Sequence, residues 1–560
     1  MEDRGRLPDD LTAAIDAWMA ADPDPETRDE LAALVAGGEV AELADRFSGT
    51  LEFGTAGLRG ALGAGPMRMN RLLVQRAAAG FVDYLGQGAT VVVGFDARHK
   101  SARFAEDTAR VVAGAGGRAL VLPGPLPTPV LAFAVLHLGA DGGVMVTASH
   151  NPPADNGYKV YLGDGAQIVP PHDRVISEHI AAASRRDIPI ASAASSSIER
   201  LGDEVVDAYL DVVAGCRLTE DCDPLSVVYT AMHGVGRDVL LAAFDRCGFA
   251  APHVVAPQAE PDPDFPTVVF PNPEEPGALD LALAEAERVG ADLVIANDPD
   301  ADRLGVAVPT PDGGWRALTG NEIGVLLADH ILRHTEGDDR LVVTTIVSSR
   351  LLERMADAAG VRFVATLTGF KWIVRPGLED PRARFVFGYE EALGYSVTSS
   401  VRDKDGITAA VTFVELAGAL SRRGATVLDR LDELALEHGL HATETWSIRV
   451  EDLAEIGRIM AAARGSTPPA LAGHAVTGVH DYAEGGALMP TDAVEWQLDD
   501  GSRVVLRPSG TEPKAKVYLE VVDDVADGDV VAARQRAAAQ LGALRTDLGA
   551  HLDVDAGRTI

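Results

Sequence analysis

At residues 147–152 the chain reads Thr-Ala-Ser-His-Asn-Pro, directly after the apolar run Gly-Val-Met-Val at 143–146. A short apolar run bounded by polar residues is typical of a buried strand, so the chain is expected to leave a sheet where that run ends. Pro152 and Pro153 prevent the following segment from continuing as helix or strand. The sequence therefore predicts that Ser149 is presented in a polar loop beyond a buried strand.

Ser149 can act chemically only if something activates it, because a free serine hydroxyl is a weak nucleophile. His150 is adjacent in sequence, which is the wrong place for the base of a hydrolase dyad. The nucleophile-elbow pattern G-x-S-x-G is also absent, since Thr147 and Asn151 stand where that pattern has glycine. Taken alone, the loop is explained by ordinary turn chemistry.

The 560-residue chain is strongly acidic, with a formal net charge of −35 and 47% hydrophobic residues. This length predicts three or four domains, and the hydrophobic content suffices for packed cores. The charge argues against nucleic acid, which needs a basic face, and means that an anionic substrate must be drawn in by local Arg and Lys clusters. No apolar signal core and no run of 18 apolar residues occur, which predicts a cytoplasmic protein without membrane attachment.

The three cysteines are Cys216, Cys222 and Cys247, and none lies in a Cys-x-x-Cys pair. Neither a zinc site nor a disulfide framework is supported, so buried thiols are predicted.

Helical and strand patterns alternate along most of the chain. Residues 10–50 predict a helical lead-in that breaks at Gly37 and Gly38, and three successive α/β units follow. The last 120 residues instead show alternating strands, such as 446–450 and 493–497, before helix-like stretches, which indicates an α+β domain. The predicted domain bounds are 1–212, 213–320, 321–440 and 441–560.

Three glycine-containing segments precede strands or helices. Residues 53–60 read Phe-Gly-Thr-Ala-Gly-Leu-Arg-Gly, a loop whose backbone can approach a ligand closely with Arg59 as an anion contact. Residues 94–101 predict a strand-to-helix turn with Ser101 as the N-cap. Residues 234–237 start like a dinucleotide fingerprint, but Val239 occupies the third glycine position, which argues against nicotinamide binding.

Asp298, Asp300 and Asp302 follow the apolar strand pattern at 293–296. Carboxylates on alternate residues of a loop can converge on one cation, and hard oxygen ligands suit Mg²⁺. An EF-hand is excluded because it requires glycine where Arg303 stands. The residue pattern therefore predicts a magnesium site.

Two further segments carry groups suited to a sugar phosphate. Residues 388–394 read Gly-Tyr-Glu-Glu-Ala-Leu-Gly, and carboxylates such as Glu390 and Glu391 bind sugar hydroxyls directionally. Residues 507–514 read Arg-Pro-Ser-Gly-Thr-Glu-Pro-Lys, which combines a guanidinium, two hydroxyls and glycine-permitted backbone amides. This second segment predicts an anion cradle.

Together, and in this order from Phe53 to Tyr518, the motifs resemble those of the α-D-phosphohexomutase superfamily, which includes phosphoglucomutase and phosphomannomutase. The resemblance implies three similar mixed α/β domains and a fourth of different fold around a central cleft. It also implies that Ser149 carries a phosphoryl group. The implied metal ligands are Ser149, Asp298, Asp300 and Asp302.

The resemblance further implies roles for residues outside the metal set. Lys159, ten residues after the serine, is a candidate general acid or base, and Arg59 and His150 complete the catalytic set. The predicted substrate-binding residues are Thr55, Arg59, Arg303, Thr368, Gly369, Lys371, Glu390, Glu391, Arg507, Ser509, Gly510 and Thr511. Residues 403–406 are predicted to form a supporting turn. The family's sugar loop usually reads Glu-x-Ser, and Ala392 stands at the serine position, so the preferred sugar stays open.

The implied function is a phosphosugar mutase that interconverts sugar 1-phosphate and 6-phosphate, with glucose first and mannose second. It implies a phosphoserine, one Mg²⁺ per chain, and a sugar bisphosphate as activator and intermediate. The expected partners are small sugar phosphates, and a monomer or weak homodimer is expected.

Three alternatives remain at this stage. One is a phosphopentomutase of the same family. A second is a phosphatase with Asp298 as nucleophile, although that class normally has Thr or Val where Asp302 stands and leaves Ser149 without a role. A third is an inactive sugar-phosphate sensor, which should have lost Ser149 or an aspartate.

Overall fold

The computed structural model describes residues 7–54, 57–450, 452–509 and 514–555. The chain forms two compact units. The first comprises Met1–Leu318 and Leu393–Gly418, and the second comprises Thr319–Ala392 and Ala419–Ile560. Each unit is therefore built from two separate stretches of sequence.

Helices and strands alternate through most of the described residues. The α-helices there are α1 (Asp9–Ala21), α2 (Pro25–Gly37), α3 (Val40–Arg46), α4 (Arg71–Leu85), α5 (Ser101–Gly114), α6 (Thr128–His137), α7 (His172–Ala183), α8 (Glu204–Ala214), α9 (Gly236–Cys247), α10 (Asp280–Val289), α11 (Gly320–His334), α12 (Leu351–Ala358), α13 (Phe370–Ile373), α14 (Arg375–Glu379), α15 (Gly406–Arg422), α16 (Val427–His438), α17 (Leu453–Gly465) and α18 (Val530–Leu552). The strands there are β1 (Leu58–Ala61), β2 (Thr90–Phe95), β3 (Arg118–Val121), β4 (Gly142–Val146), β5 (Asp155–Leu162), β6 (Ile198–Arg200), β7 (Val227–Thr230), β8 (His253–Val254), β9 (Leu293–Ala296), β10 (Gly305–Pro309), β11 (Trp315–Ala317), β12 (Arg340–Thr345), β13 (Arg362–Thr366), β14 (Arg384–Glu390), β15 (Gly394–Ser396), β16 (Leu440–Arg449), β17 (Ala470–Leu471), β18 (His474–Asp481), β19 (Val494–Leu498), β20 (Arg503–Pro508) and β21 (Lys514–Asp523).

The first unit contains a mixed six-stranded sheet in the order β1-β5-β4-β2-β3-β6. The central strands β4, β2 and β3 are parallel, whereas β5 runs antiparallel to both β4 and β1. Helices α5 and α6 pack against these central strands, and this burial explains why the strand sequences are continuously apolar. Val91, Val93, Val144 and Val146 form the core with Phe104. The polar loop that carries the serine therefore begins at the carboxyl end of a fully buried strand.

A second sheet of the first unit has the order β11-β10-β9-β7-β8. Strands β7, β8 and β9 are parallel, and β10 pairs antiparallel with β9. All four residues of β9 are buried, and the aspartate loop follows directly at its carboxyl end. Ligands bind at such carboxyl ends in open α/β sheets.

The second unit combines an α/β layer and an antiparallel sheet. Strand β12 is parallel to both of its neighbours, β13 and β14. The C-terminal sheet has the order β16-β21-β20-β19-β18-β17, and its pairs are antiparallel. Helices α17 and α18 cover it. The predicted fold class, mixed α/β followed by a C-terminal α+β part, is confirmed, whereas the predicted domain bounds stay predictions.

Local expectations were mostly confirmed, with two differences. Ser101 is the first residue of α5 and not its N-cap, because Lys100 occupies that position in a left-handed conformation (φ 67°). The Ser101 hydroxyl instead donates to Asp96. The three thiols are free, but only Cys247 is buried, while the other two are half-buried.

Among the described residues, no helix is both long enough and apolar enough to cross a membrane.

Candidate active site

Ser149 lies just beyond β4 with a positive φ of 53°. Such a backbone conformation is uncommon for a residue other than glycine and is enriched at functional sites. Its amide donates to the hydroxyl of Thr147 over 2.9 Å. The Ser149 hydroxyl is buried and donates to Asp298 Oδ2 over 3.0 Å. The structure thus brings together the serine and the aspartate loop, which are 149 residues apart in sequence.

Arg98 holds the serine loop in shape. One guanidinium nitrogen donates to the carbonyl oxygens of Ser149 and Asn151, and the other donates to those of Pro152 and Asp155. The side chain is buried, and its guanidinium lies 4.8 Å from the centroid of the Phe265 ring. A planar guanidinium can serve several acceptors in fixed directions, which a lysine cannot do.

His150 contacts the serine directly. Its Nδ1 lies 3.1 Å from Ser149 Oγ. Burial lowers the pKa of His150 well below its usual value, and the positive charges of Arg303 and Arg59 lower it further. The imidazole is therefore neutral near pH 7, so one ring nitrogen can accept a hydrogen bond. The contact is between neighbours in sequence, and the left-handed backbone of Ser149 accompanies it.

Asp298, Asp300 and Asp302 are completely buried. Each offers a carboxylate oxygen, and these oxygens all lie within 4.8 Å of one another. Burial and the negative charges of Asp300 and Asp302 raise the pKa of Asp298 well above its usual range. Three carboxylates at this separation need positive charge nearby.

Part of that positive charge comes from lysine. Lys159 Nζ donates to Asp300 Oδ2 over 2.8 Å and to Asp302 Oδ2 over 2.9 Å. Lys404 Nζ lies 3.2 Å from the same oxygen of Asp302. The predicted acid or base, Lys159, thus lies against two of the aspartates in the structure.

The three aspartates also fit a divalent cation. Asp300 Oδ1 and Asp302 Oδ1 are buried and have no hydrogen-bond partner among the described residues. Leaving a buried carboxylate oxygen unpaired is costly, and a cation would satisfy both oxygens at once. Asp298 Oδ2 and the Ser149 hydroxyl beside it complete an all-oxygen donor set, which suits a hard cation such as Mg²⁺.

Two arginines approach the same loops. Arg59 Nη1 donates to Asn151 Oδ1 over 3.2 Å, and Arg59 sits on β1, paired in register with Gly157 of β5. The backbone amide of Arg303 donates to Asp298 Oδ1 over 3.1 Å. Both arginines therefore lie in the first unit with the serine and the aspartates.

Most of the remaining predicted residues belong to the second unit. Glu390 ends β14, and Glu391 Oε2 accepts from Ser348 Oγ at 3.2 Å. Thr368 and Gly369 precede α13, which contains Lys371, and Arg507 lies near the end of β20 with Ser509 following. The predicted residues Thr55, Gly510 and Thr511 lie outside the described residues.

Family models described as Phosphoglucomutase/phosphomannomutase, alpha/beta/alpha domains I, II and III, match residues 50–187, 207–313 and 319–435. The corresponding C-terminal domain model matches residues 448–537. The chain belongs to the phosphoglucomutase/phosphomannomutase family. It is accordingly an intramolecular phosphotransferase, an isomerase by reaction class.

Relatives of this phosphohexomutase carry different substrate names. A "Probable phosphomannomutase" of Haemophilus influenzae is 46% identical, covering 81% of this chain and 93% of its own. A "Probable phosphoribomutase" of Schizosaccharomyces pombe is 37% identical over 91% of this chain and 93% of its own. A "Phosphoglucomutase" of Staphylococcus epidermidis is 34% identical over 85% of this chain and 91% of its own. The relatives therefore agree on phosphoryl transfer within sugars and differ on the sugar.

Sequence reasoning missed two residues of the phosphohexomutase site. Thr128 donates from its hydroxyl to Asp300 Oδ2 over 2.6 Å and from its amide to the Asp300 carbonyl. Lys404 was placed only in a supporting turn. Thr128 opens α6 before Pro129, a pattern typical of any helix start. Neither residue has a local signal, because its partner lies more than 90 residues away in sequence.

Proposed function

We propose that this phosphohexomutase interconverts the 1-phosphate and 6-phosphate of glucose, with mannose as a second hexose, through a phosphoryl group on Ser149. The observation that carries this proposal is the Ser149 hydroxyl, 3.0 Å from Asp298 beside two buried, unpaired carboxylate oxygens. A phosphoserine there would carry about −1.5 to −2 charges. It would need a cation among the three aspartates to be tolerated.

The proposed metal is one Mg²⁺ per chain, held by Asp298, Asp300, Asp302 and an oxygen on Ser149. Bound there, it would neutralise the charge of the phosphoryl group. Lys159 and Thr128 orient the carboxylate of Asp300 through their contacts with Oδ2. The Arg98 guanidinium keeps the Ser149 backbone in place while the phosphoryl group is transferred to and from the serine.

The proposed transfer has two matched halves. A free hydroxyl of the sugar monophosphate forms a bond to phosphorus, and the bond from phosphorus to Ser149 Oγ breaks. The proton of the sugar hydroxyl is transferred to Ser149 Oγ, which becomes a free serine hydroxyl again, with Lys159 as the proposed general acid or base. The resulting sugar bisphosphate, which is also the activator, reverses its orientation relative to Ser149. It then returns its other phosphoryl group to Ser149. Such transfers depend mainly on alignment and charge stabilisation.

Other residues are proposed to bind the substrate. Arg59, Arg303 and His150 surround the reacting phosphoryl group in the first unit. In the second unit, Glu390 and Glu391 accept bonds from sugar hydroxyls, supported by Thr368, Gly369 and Lys371. The non-reacting phosphate is assigned to Arg507, Ser509, Gly510 and Thr511, and Thr55 is assigned to the substrate together with Arg59.

A phosphopentomutase is the second candidate. It is favoured by the phosphoribomutase relative, which matches 91% of this chain, and by Ala392, which replaces the usual serine of the sugar loop. Coupled assays on the 1-phosphates of glucose, mannose and ribose discriminate between the two. A kcat/KM for ribose 1-phosphate above that for glucose 1-phosphate would replace the hexose proposal by the pentose one. No conversion of any of them by phosphorylated, magnesium-loaded protein would contradict both.

Arg507→Ala is expected to raise KM for the sugar phosphate about ten- to a hundredfold, because it removes a charge-assisted hydrogen bond to the phosphate. Steady-state kinetics measure this change. Arg536→Ala is the control, since that exposed arginine of the same unit pairs with Asp523 and Asp527. An unchanged KM in Arg507→Ala would show that the cradle does not hold the phosphate.

Arg98→Lys is expected to lower kcat about ten- to a hundredfold, since a lysine cannot hold four carbonyl oxygens together and a small misplacement of the serine is costly. The same coupled assay reports the loss. Arg103→Lys on α5 is the matched control, because that half-exposed arginine pairs with Glu106 one turn away on the same helix. Equal rates in the two variants would mean that the loop keeps its shape without the guanidinium.

A further inference from the structure

The turn after β12 is fixed by a buried arginine from the C-terminal sheet. Arg503 donates from Nη1 to the carbonyl of Ile346 over 2.8 Å and from Nη2 to the carbonyl of Ser348. Its Nε donates to Glu520 Oε2 over 2.8 Å. Both charged side chains are buried, so each depends on the other for compensation of its charge. The backbone on both sides of Val347 is therefore held in one position.

Glu520 secures the same turn from the other side. Its Oε1 accepts from Ser349 Oγ and from the backbone amide of Arg350, each at 2.8 Å. His441 Nδ1 lies 2.9 Å from the same oxygen. Because charge-assisted hydrogen bonds are short and directional, this set leaves the turn little freedom.

The hydroxyl of Ser348 points from this fixed turn to the sugar loop. It lies 2.8 Å from Thr345 Oγ1 and 3.2 Å from Glu391 Oε2. Ser348 is 1% exposed, whereas Glu391 is half-buried. A carboxylate has about four acceptor sites, so Glu391 can be held by Ser348 and still accept from a sugar hydroxyl.

Tyr518 supports the same arrangement. Burial raises the pKa of the Tyr518 phenol well above its usual value, the charge of Glu391 raises it further, and the guanidinium of Arg507 opposes that effect. Tyr518 also packs with Ile346 and Val347 in one apolar cluster. The phenol therefore lies close to both a proposed sugar-binding carboxylate and the proposed phosphate-binding arginine.

We propose that Ser348 is a positioning residue that orients the Glu391 carboxylate and thereby sets which sugar the enzyme prefers. The proposal rests on the proposed function, in which Glu391 bonds a sugar hydroxyl. A site built to bond a hydroxyl discriminates strongly against a sugar whose hydroxyl is missing or misplaced. A carboxylate that rotates freely would bond the hydroxyls of different sugars more equally.

The test compares kcat/KM for glucose 1-phosphate and ribose 1-phosphate in wild-type protein and in Ser348→Ala. The ratio of the two values is expected to move towards one by about tenfold, the equivalent of losing one hydrogen bond to a charged group. Ser502→Ala is the matched control, since it removes an equally buried hydroxyl of the same unit that donates to Asp500 and not to the turn or to Glu391. In a Glu391→Gln background, adding Ser348→Ala should change the ratio by less than twofold, because coupled sites are not additive.

A ratio in Ser348→Ala that equals that of wild type or of Ser502→Ala would overturn the proposal. If Ser348→Ala does not fold, Glu391→Gln alone decides. This variant lacks the carboxylate that Ser348 is proposed to orient, so an unchanged ratio of the two kcat/KM values would overturn the proposal. Failure of the proposed function is seen separately, as absence of turnover in the wild-type protein.

Discussion

Ser149→Ala is expected to lower sugar-phosphate turnover by about 10⁴-fold or more, because it removes the only proposed covalent acceptor of the phosphoryl group. The alanine keeps the loop contacts made by the backbone, including those to Arg98. The loss should therefore appear in kcat and leave the thermal unfolding midpoint nearly unchanged.

Mass spectrometry gives an independent measurement of the same prediction. Wild-type protein should carry a partial phosphate on the peptide that contains Ser149, and Ser149→Ala should carry none. Ser48→Ala is the control, since that exposed serine bonds only its own helix end. Full turnover by Ser149→Ala, or an active wild-type protein that never carries phosphate on this peptide, would refute the phosphoserine mechanism.

Asp300→Asn is expected to reduce turnover by at least about 10²-fold, by analogy with the loss of one preorganised electrostatic group. The substitution keeps the shape of the side chain but removes one of three charges that converge on the proposed cation. Chelation with EDTA should have a larger effect, because the three buried carboxylates then repel each other, and it should also lower the thermal unfolding midpoint.

Added Mg²⁺ should restore the EDTA-treated protein but not Asp300→Asn. Asp187→Asn, an exposed aspartate of the same unit, should behave like wild type. Undiminished activity in excess EDTA would rule out the metal assignment, whatever the effect of the substitution.

Local sequence patterns were sufficient to find the two loops that carry the proposed chemistry. A buried apolar strand followed by a polar turn is readable at Ser149 and again at Asp298, because both the strand and the turn are contiguous in sequence. The structure adds only their proximity, 3.0 Å between Ser149 Oγ and Asp298 Oδ2. That proximity had been implied by the family resemblance alone.

Residues that act through distant partners gave no such signal. Thr128, Lys404 and Ser348 are ordinary residues in ordinary contexts, and the roles proposed for them rest on contacts across tens to hundreds of residues. The N-cap expected at Ser101 failed for a related reason. The hydroxyl of Ser101 is engaged by Asp96, and Asn156 from strand β5 donates to it as well.

The discontinuous sequence of the first unit has a consequence for biosynthesis. Residues 393–418 supply Lys404 to Asp302, and Asp405 to the hydroxyl of Tyr209. A nascent chain that ends at residue 318 contains the three aspartates that are buried in the folded protein. Lys404, which pairs with Asp302 there, has not yet been synthesised. The first half of the protein therefore cannot complete its own folding on the ribosome until about a hundred further residues have emerged, and order of synthesis differs from order of assembly.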